Sequence, residues 1–244
     1  MHTAVRRVFK MGVLQIFDQS INCGITGFED PTSGSVRKSL SLSKQLVHHP
    51  SATKLTVAHQ DVPYFGISDG DYLLVDSSLQ PEANDCILVE YLGENALVSF
   101  QEIQQQEDIV VQGVVSARFH WYRKGYSIPI HNSLKEFDLH ELLIPPEQQH
   151  TCVLMRANGK SMLPIIDNGD LLLLNRSLSF KEDHPVIMAL NGELVCKRLN
   201  KRLKKAYSDN PKFRSVYLSS SDEIRIYGCV SMAIRIYRRE LRGC

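Results

Sequence analysis

Residues 66–79, GISDGDYLLVDSSL, and residues 165–178, IIDNGDLLLLNRSL, are two versions of one segment set 99 positions apart. The same spacing carries Gly70-Asp71 onto Gly169-Asp170 and Gly93-Glu94 onto Gly192-Glu193. Further along, EDIVVQGVVS (107–116) answers DEIRIYGCVS (222–231) at a spacing of 115, the second version carrying extra residues around Lys201 to Val216. Upstream, LSLSKQLV (40–47) resembles FDLHELLI (137–144). A repeat on this scale governs the architecture before any local reading, because a missed repeat misplaces every domain boundary. With 244 residues, enough for two ordinary domains, the expected division is 1–124 and 125–244.

Each copy reads as β-rich. Short Val/Ile/Leu/Tyr runs at Tyr72 to Val75, Cys86 to Tyr91 and Ile109 to Val115 are matched by Leu171 to Leu174, Val186 to Leu190 and Ile224 to Val230. Gly, Asp, Asn and Pro turn signals separate them, and no long segment has a 3.6-residue period. Asn191-Gly192 predicts a hairpin, and the Gly-Asp steps before Tyr72 and Leu171 suit tight turns entering strands. The stretches 18–45 and 124–141 read as extended arms ahead of each unit. The expected fold is therefore mainly β, two tandem β-rich domains each preceded by an arm.

The formal net charge of +1 conceals a split between the halves. Residues 1–124 hold 10 basic and 14 acidic side chains, and residues 125–244 hold 18 and 13. Much of the basic excess is KRLNKRLKK at 197–205, which suits either a nucleic-acid or acidic-partner surface or a solvated hairpin. The longest apolar stretches fall far short of the ~18 residues of a membrane span. The six cysteines, Cys23, Cys86, Cys152, Cys196, Cys229 and Cys244, form no C-x-x-C pair. That pattern fits a reducing cytoplasm, and neither it nor the scattered histidines predict a metal or other cofactor.

The second copy contains ANGKSMLPIIDNGDLLLL followed by NGELVCKRL. A serine needs a nearby base to act as a nucleophile at neutral pH, and a lysine serves if burial lowers its pKa from about 10.4. Ser161, set between Gly159 and a strand entry, and Lys197 on a predicted strand make such a pair, with Leu194, Val195, Cys196 and Leu199 as the apolar setting. Backbone N–H groups around Ser161 would supply an oxyanion hole. The alternative G-x-S-x-G nucleophile motif is absent, because Leu163 takes the last glycine position.

GKSMLPIIDNGDLLLL with VCKRL resembles the self-cleaving Ser-Lys peptidase domain shared by LexA-type repressors and UmuD-type mutagenesis proteins. Cys23-Gly24 followed by an arm, then QLVHHPSAT and GISDGDYLLVDSSL, resembles the UmuD type in particular. The short segment ahead of Cys23 sets an expectation away from a helix-turn-helix repressor. The resemblance implies Ser161 as nucleophile, Lys197 as general base and Cys23-Gly24 as the scissile bond, with Thr26-Gly27 as a near alternative. It implies self-cleavage stimulated by a RecA filament on single-stranded DNA, and then service as a subunit of an error-prone UmuC-type translesion polymerase in the SOS response to DNA damage. Other readings are a non-catalytic module that binds the polymerase or the filament, and a co-regulator of SOS repressors.

The two copies are not equivalent. Where the first should carry its serine it reads AHQDVPYF, so Asp61 or Val62 takes the place, and Val98 replaces the lysine. The second arm offers Lys124-Gly125, a bulky charged residue at the would-be cut, and reads as a linker. The expectation is a pseudo-dimer within one chain, with one inactive and one active unit, the arm of the first being cut in the second. Tethering commonly raises local concentration into the millimolar range, so such cutting need not wait for assembly.

Overall fold

The computed structural model describes residues 14–22, 38–103, 108–123, 128–144 and 146–238, with the backbone alone for 14–22 and 38–40. The fold is mainly β. β1 (Leu14–Asn22) pairs antiparallel with β2 (Lys38–Leu40), and the helix α1 (Leu42–Leu46) follows. Next come β3 (Thr53–Val57), a 3-10 turn at Pro63–Phe65, β4 (Tyr72–Asp76), β5 (Cys86–Tyr91), β6 (Glu94–Ser99), α2 (Phe100–Ile103) and β7 (Val110–Trp121). After α3 (Leu139–Leu143) the chain runs through β8 (Cys152–Asn158), β9 (Leu171–Asn175), β10 (His184–Leu190) and β11 (Glu193–Asn200). It ends with β12 (Lys205–Tyr207), β13 (Val216–Tyr217) and β14 (Ile224–Ile236).

Pairing follows one scheme in both halves. In the first, β4 lies between β3 and β7 while β5 joins β6 to β7; in the second, β9 lies between β8 and β14 while β10 joins β11 to β14. The local reasons also recur. Asp71 accepts a hydrogen bond from Ser68 N–H and its carbonyl accepts from Ala58 N–H, as Asp170 accepts from Asp167 N–H and its carbonyl from Ala157 N–H. Both turns need a left-handed residue, supplied by Gly70 (φ 82°) and Gly169 (φ 89°) at no Cβ cost. They launch β4 and β9, whose residues are all buried.

The halves join where β7 and β14 run antiparallel, from Met232 opposite Trp121 to Ile236 opposite Ala117. Phe119 and Ile234 face each other at the middle of this register, and both are fully buried. They belong to a cluster that takes Leu55 and Leu74 from the first half and Leu139, Leu154, Leu173 and Met232 from the second. A buried ionic group lies at the same seam: Arg118 approaches Asp71 at 3.6 Å and Asp170 at 3.8 Å, and donates to the carbonyl of Ile165 at 2.6 Å. Arg235 grips Asp170 at 2.9 Å and donates to the carbonyl of Phe65 at 3.1 Å, while His120 Nδ1 lies 2.7 Å from Asp71. Burial raises the Asp170 carboxyl above its ordinary pKa even with Arg235 opposing it.

Two expectations need correction. The arms are not extended throughout, since α1 lies within 18–45 up to its last residue and α3 begins inside 124–141. Both helices have five residues, too short to show a helical period. Ser41 and Asp138 cap them, Ser43 Oγ donates to Asp138, and Leu42, Leu46, Leu139 and Leu143 are buried. β7 and β14 also run about six residues past their expected ends, to Trp121 and Ile236. Arg118 and Arg235 in these extensions look like surface residues in sequence, but the two aspartates hold them within the seam. Among the described residues no helix is long and apolar enough to cross a membrane.

Candidate active site

Ser161 lies in the turn that leaves β8. Gly159 (φ 94°) redirects the backbone there, and its N–H donates to Asn168 Oδ1 at 2.9 Å. The next residue, Met162, is fully buried in a cluster with Ile166, Ile187, Leu194 and Cys196. Cys196 immediately precedes Lys197 on β11. The nucleophile candidate and the base candidate are thus each one residue from an anchor in the same apolar cluster, and core packing sets their separation.

The Nζ of Lys197 stands 2.9 Å from Oγ of Ser161, and Ser161 is fully buried. Leu194, Val195, Cys196 and Leu199 around Lys197 are buried as well, so the apolar setting read from the sequence is present. The β10–β11 hairpin that positions Lys197 turns at Asn191 (φ 52°) and Gly192 (φ 85°), and places Lys197 opposite Val186.

Two further residues reach this pair from the loop after β12. Ser208 Oγ accepts a hydrogen bond from Lys197 Nζ at 2.7 Å. Asn210 donates from its backbone to the Ser161 carbonyl and from its side chain to the Lys160 carbonyl, both at 2.9 Å. Between them Asp209 pairs with Arg198 at 3.0 Å, which overcomes the burial of the guanidinium and holds its pKa up. The Phe213 ring lies 5.8 Å from Lys197 Nζ. Sequence reading missed Ser208 and Asn210, for which Asn210-Pro211 gave only an ordinary turn signal.

β1 threads the second half. It runs parallel to β8 on one side and β11 on the other, and its last residue, Asn22, pairs with Asn158 and with Val195. Cys23-Gly24, Thr26-Gly27 and Lys124-Gly125 lie outside the described residues. In the first half, Val62 precedes the 3-10 turn and donates its N–H to the Ile67 carbonyl, while Asp61, on the surface, accepts from Asp69 N–H. Val98 stands opposite Ile87 on β6, the place that Lys197 holds opposite Val186 on β11. Neither valine can move a proton.

The basic run at 197–205 divides: Lys197 and Arg198 turn to the site, and Lys201, Arg202 and Lys204 are exposed on the β11–β12 turn, with Lys201 4.3 Å over the Phe180 ring. Among the described residues no group of three or more His, Cys, Asp or Glu side chains is placed to hold a metal ion.

Residues 117–231 match the family model described as Peptidase S24-like. That family, to which LexA and UmuD belong, comprises Ser-Lys self-cleaving peptidases. The matched span contains Ser161, Lys197, Ser208 and Asn210. Protein ImpA of Salmonella typhimurium and Protein ImpA of Escherichia coli are each 38% identical to this chain over 92 residues, 36% of this chain and 61% of theirs. The chain therefore covers less than two thirds of the length of these relatives.

Proposed function

We propose that this chain is a UmuD-like self-cleaving serine peptidase, in which Ser161 and Lys197 cut the Cys23-Gly24 bond of the chain's own arm. The observation that carries this reading is the 2.9 Å approach of Lys197 Nζ to a fully buried Ser161 Oγ. Lys197 in its neutral form takes the hydroxyl proton as Ser161 Oγ attacks the Cys23 carbonyl carbon. The tetrahedral intermediate collapses, the bond to the Gly24 nitrogen breaks, and the Lys197 ammonium returns its proton to the leaving amine. Water, giving a proton to Lys197, then attacks the acyl carbon; the bond to Ser161 Oγ breaks, and the Lys197 ammonium returns its proton to that oxygen and frees the serine.

The arm reaches the site in cis. Asn22 is in register with Val195, two residues ahead of Lys197, and with Asn158, three ahead of Ser161, and the three strands run parallel. An added strand presents its backbone to a cleft in this manner.

The tandem reading, 1–124 inactive and 125–244 active, goes with it. Its support is the shared strand pairing, the matching Asp71 and Asp170 turns, and the seam register. The repeat relates Gly113 to Gly228, and the same spacing relates Phe119 to Ile234, the pair that meets at the middle of the seam, as a two-fold axis between copies requires. Partners follow from the resemblance: a RecA filament on single-stranded DNA as stimulus and a UmuC-type translesion polymerase as the complex the trimmed chain joins, within the SOS response in the cytoplasm.

The test is self-cleavage of the purified chain with a RecA filament, or at alkaline pH, which neutralises Lys197. Wild type is expected to yield one trimmed product at a rate independent of protein concentration, and Ser161→Ala and Lys197→Ala none. Persistence of intact wild type under both conditions refutes the peptidase reading.

A further inference from the structure

We propose that Ser208 is a positioning residue for Lys197, holding the amine so that its lone pair faces Ser161. The inference rests on the peptidase reading above and adds a third side chain to its machinery. A neutral amine has two N–H bonds and one lone pair. For Lys197 to accept the Ser161 proton, the lone pair must lie along the line from Nζ to Oγ, which sends both N–H bonds elsewhere. Lysine reaches its site on a flexible four-carbon stem, and the chain's covalent geometry does not fix rotation about the last carbon–nitrogen bond.

Ser208 Oγ, 2.7 Å from Nζ, offers an acceptor off that line. An acceptor directs an N–H bond toward itself, and with one N–H so directed the lone pair can be turned to Ser161.

Ser208 is itself fixed to both partners of the reaction. Tyr207, just before it, is paired with Arg198 in the β11–β12 ladder, and Asp209, just after it, holds the Arg198 guanidinium at 3.0 Å. Asn210 ties the same loop to the Ser161 and Lys160 carbonyls at 2.9 Å. The three residues Ser208 to Asn210 at the start of this loop thus refer the strand that carries the base to the turn that carries the nucleophile. Ser161 from the turn after β8, Ser208 from this loop and the Phe213 ring at 5.8 Å are among the groups around the Lys197 amine, and Arg198, the neighbouring cation on β11, is paired with Asp209.

The experiment measures self-cleavage from neutral to alkaline pH for wild type, Ser208→Ala, Ser208→Thr and Ser161→Ala, with a thermal melt of each. Ser208→Ala is expected to cut about 10- to 100-fold more slowly, the scale of a misaligned reacting group, and to stay slow on the alkaline plateau where every amine is neutral. Ser208→Thr, which keeps the hydroxyl, is expected to recover most of the rate, and the melting temperatures to coincide. Ser208→Ala cutting at the wild-type rate overturns the proposal, as does a deficit that alkaline pH abolishes, which would make Ser208 a bias on protonation alone. In both cases the peptidase reading stands, provided wild type cuts and Ser161→Ala does not. A wild type that never cuts removes both.

Discussion

Asn22 lies in register with Val195, two residues short of Lys197 on a strand that runs in the same direction. That pairing, with the matching one to Asn158, makes the arm a strand of the sheet that carries the site. It also ties the first half to the second by a contact separate from the seam. Backbone ladders have no preference for sequence, so the pairing of β1 with β8 and β11 contributes affinity whatever side chains it carries.

Removing Asn210 should unsettle the nucleophile more than the fold. Asn210→Ala deletes the side-chain hydrogen bond to the Lys160 carbonyl in the turn that bears Ser161. The expected cost is about 1 kcal/mol in denaturant unfolding, with a roughly tenfold or larger fall in self-cleavage because the attacking group is displaced. Equal cleavage rates in mutant and wild type would remove Asn210 from the site.

The seam should behave as core. Phe119 is fully buried against Ile234, so Phe119→Ala is expected to cost about 3–5 kcal/mol, measured by chemical denaturation. A loss below about 1 kcal/mol would show that the halves do not depend on this contact.

Acid should weaken the fold through His140. Its ring is fully buried in α3, both ring nitrogens are buried without a hydrogen-bond partner, and burial lowers its pKa from 6.5. The unfolded chain therefore binds the proton more readily. Stability from the neutral ring is fully present above the unfolded pKa of about 6.5 and is lost as pH falls below it toward the folded value. His140→Leu is expected to flatten the fall in melting temperature between pH 7.5 and 5.5, and an unchanged slope would assign that fall to other groups.

The two halves should respond differently at matched positions. Val98→Ala is expected to leave self-cleavage unchanged, while Lys197→Ala, at the corresponding place opposite Val186, abolishes it. A rate that falls equally in both would remove the division into an inactive and an active half.

What the sequence made legible was what repetition and turn chemistry carry. Gly70-Asp71 and Gly169-Asp170 announced the turns, Asn191-Gly192 the hairpin that presents Lys197, and Ser161 with Lys197 the pair that the fold brings within 2.9 Å. β3 and β8 were missed because TKLTV and CVLMRAN mix polar and apolar residues, and the ladders that make them strands come from distant segments. The ends of β7 and β14 were missed because Arg118 and Arg235 look exposed until their aspartates are in place. Ser208 and Asn210 were hidden for a related reason: β12 alone brings them back across β11, and no spacing in the sequence records that return.

The central claim is tested most directly by intact-mass spectrometry of the purified chain after incubation with a RecA filament on single-stranded DNA and an ATP analogue. The predicted spectrum shows one cut, between Cys23 and Gly24, at every protein concentration, no cut at Lys124-Gly125, and no cut at all in Ser161→Ala. An intact wild-type chain, or the same cut in Ser161→Ala, would contradict it.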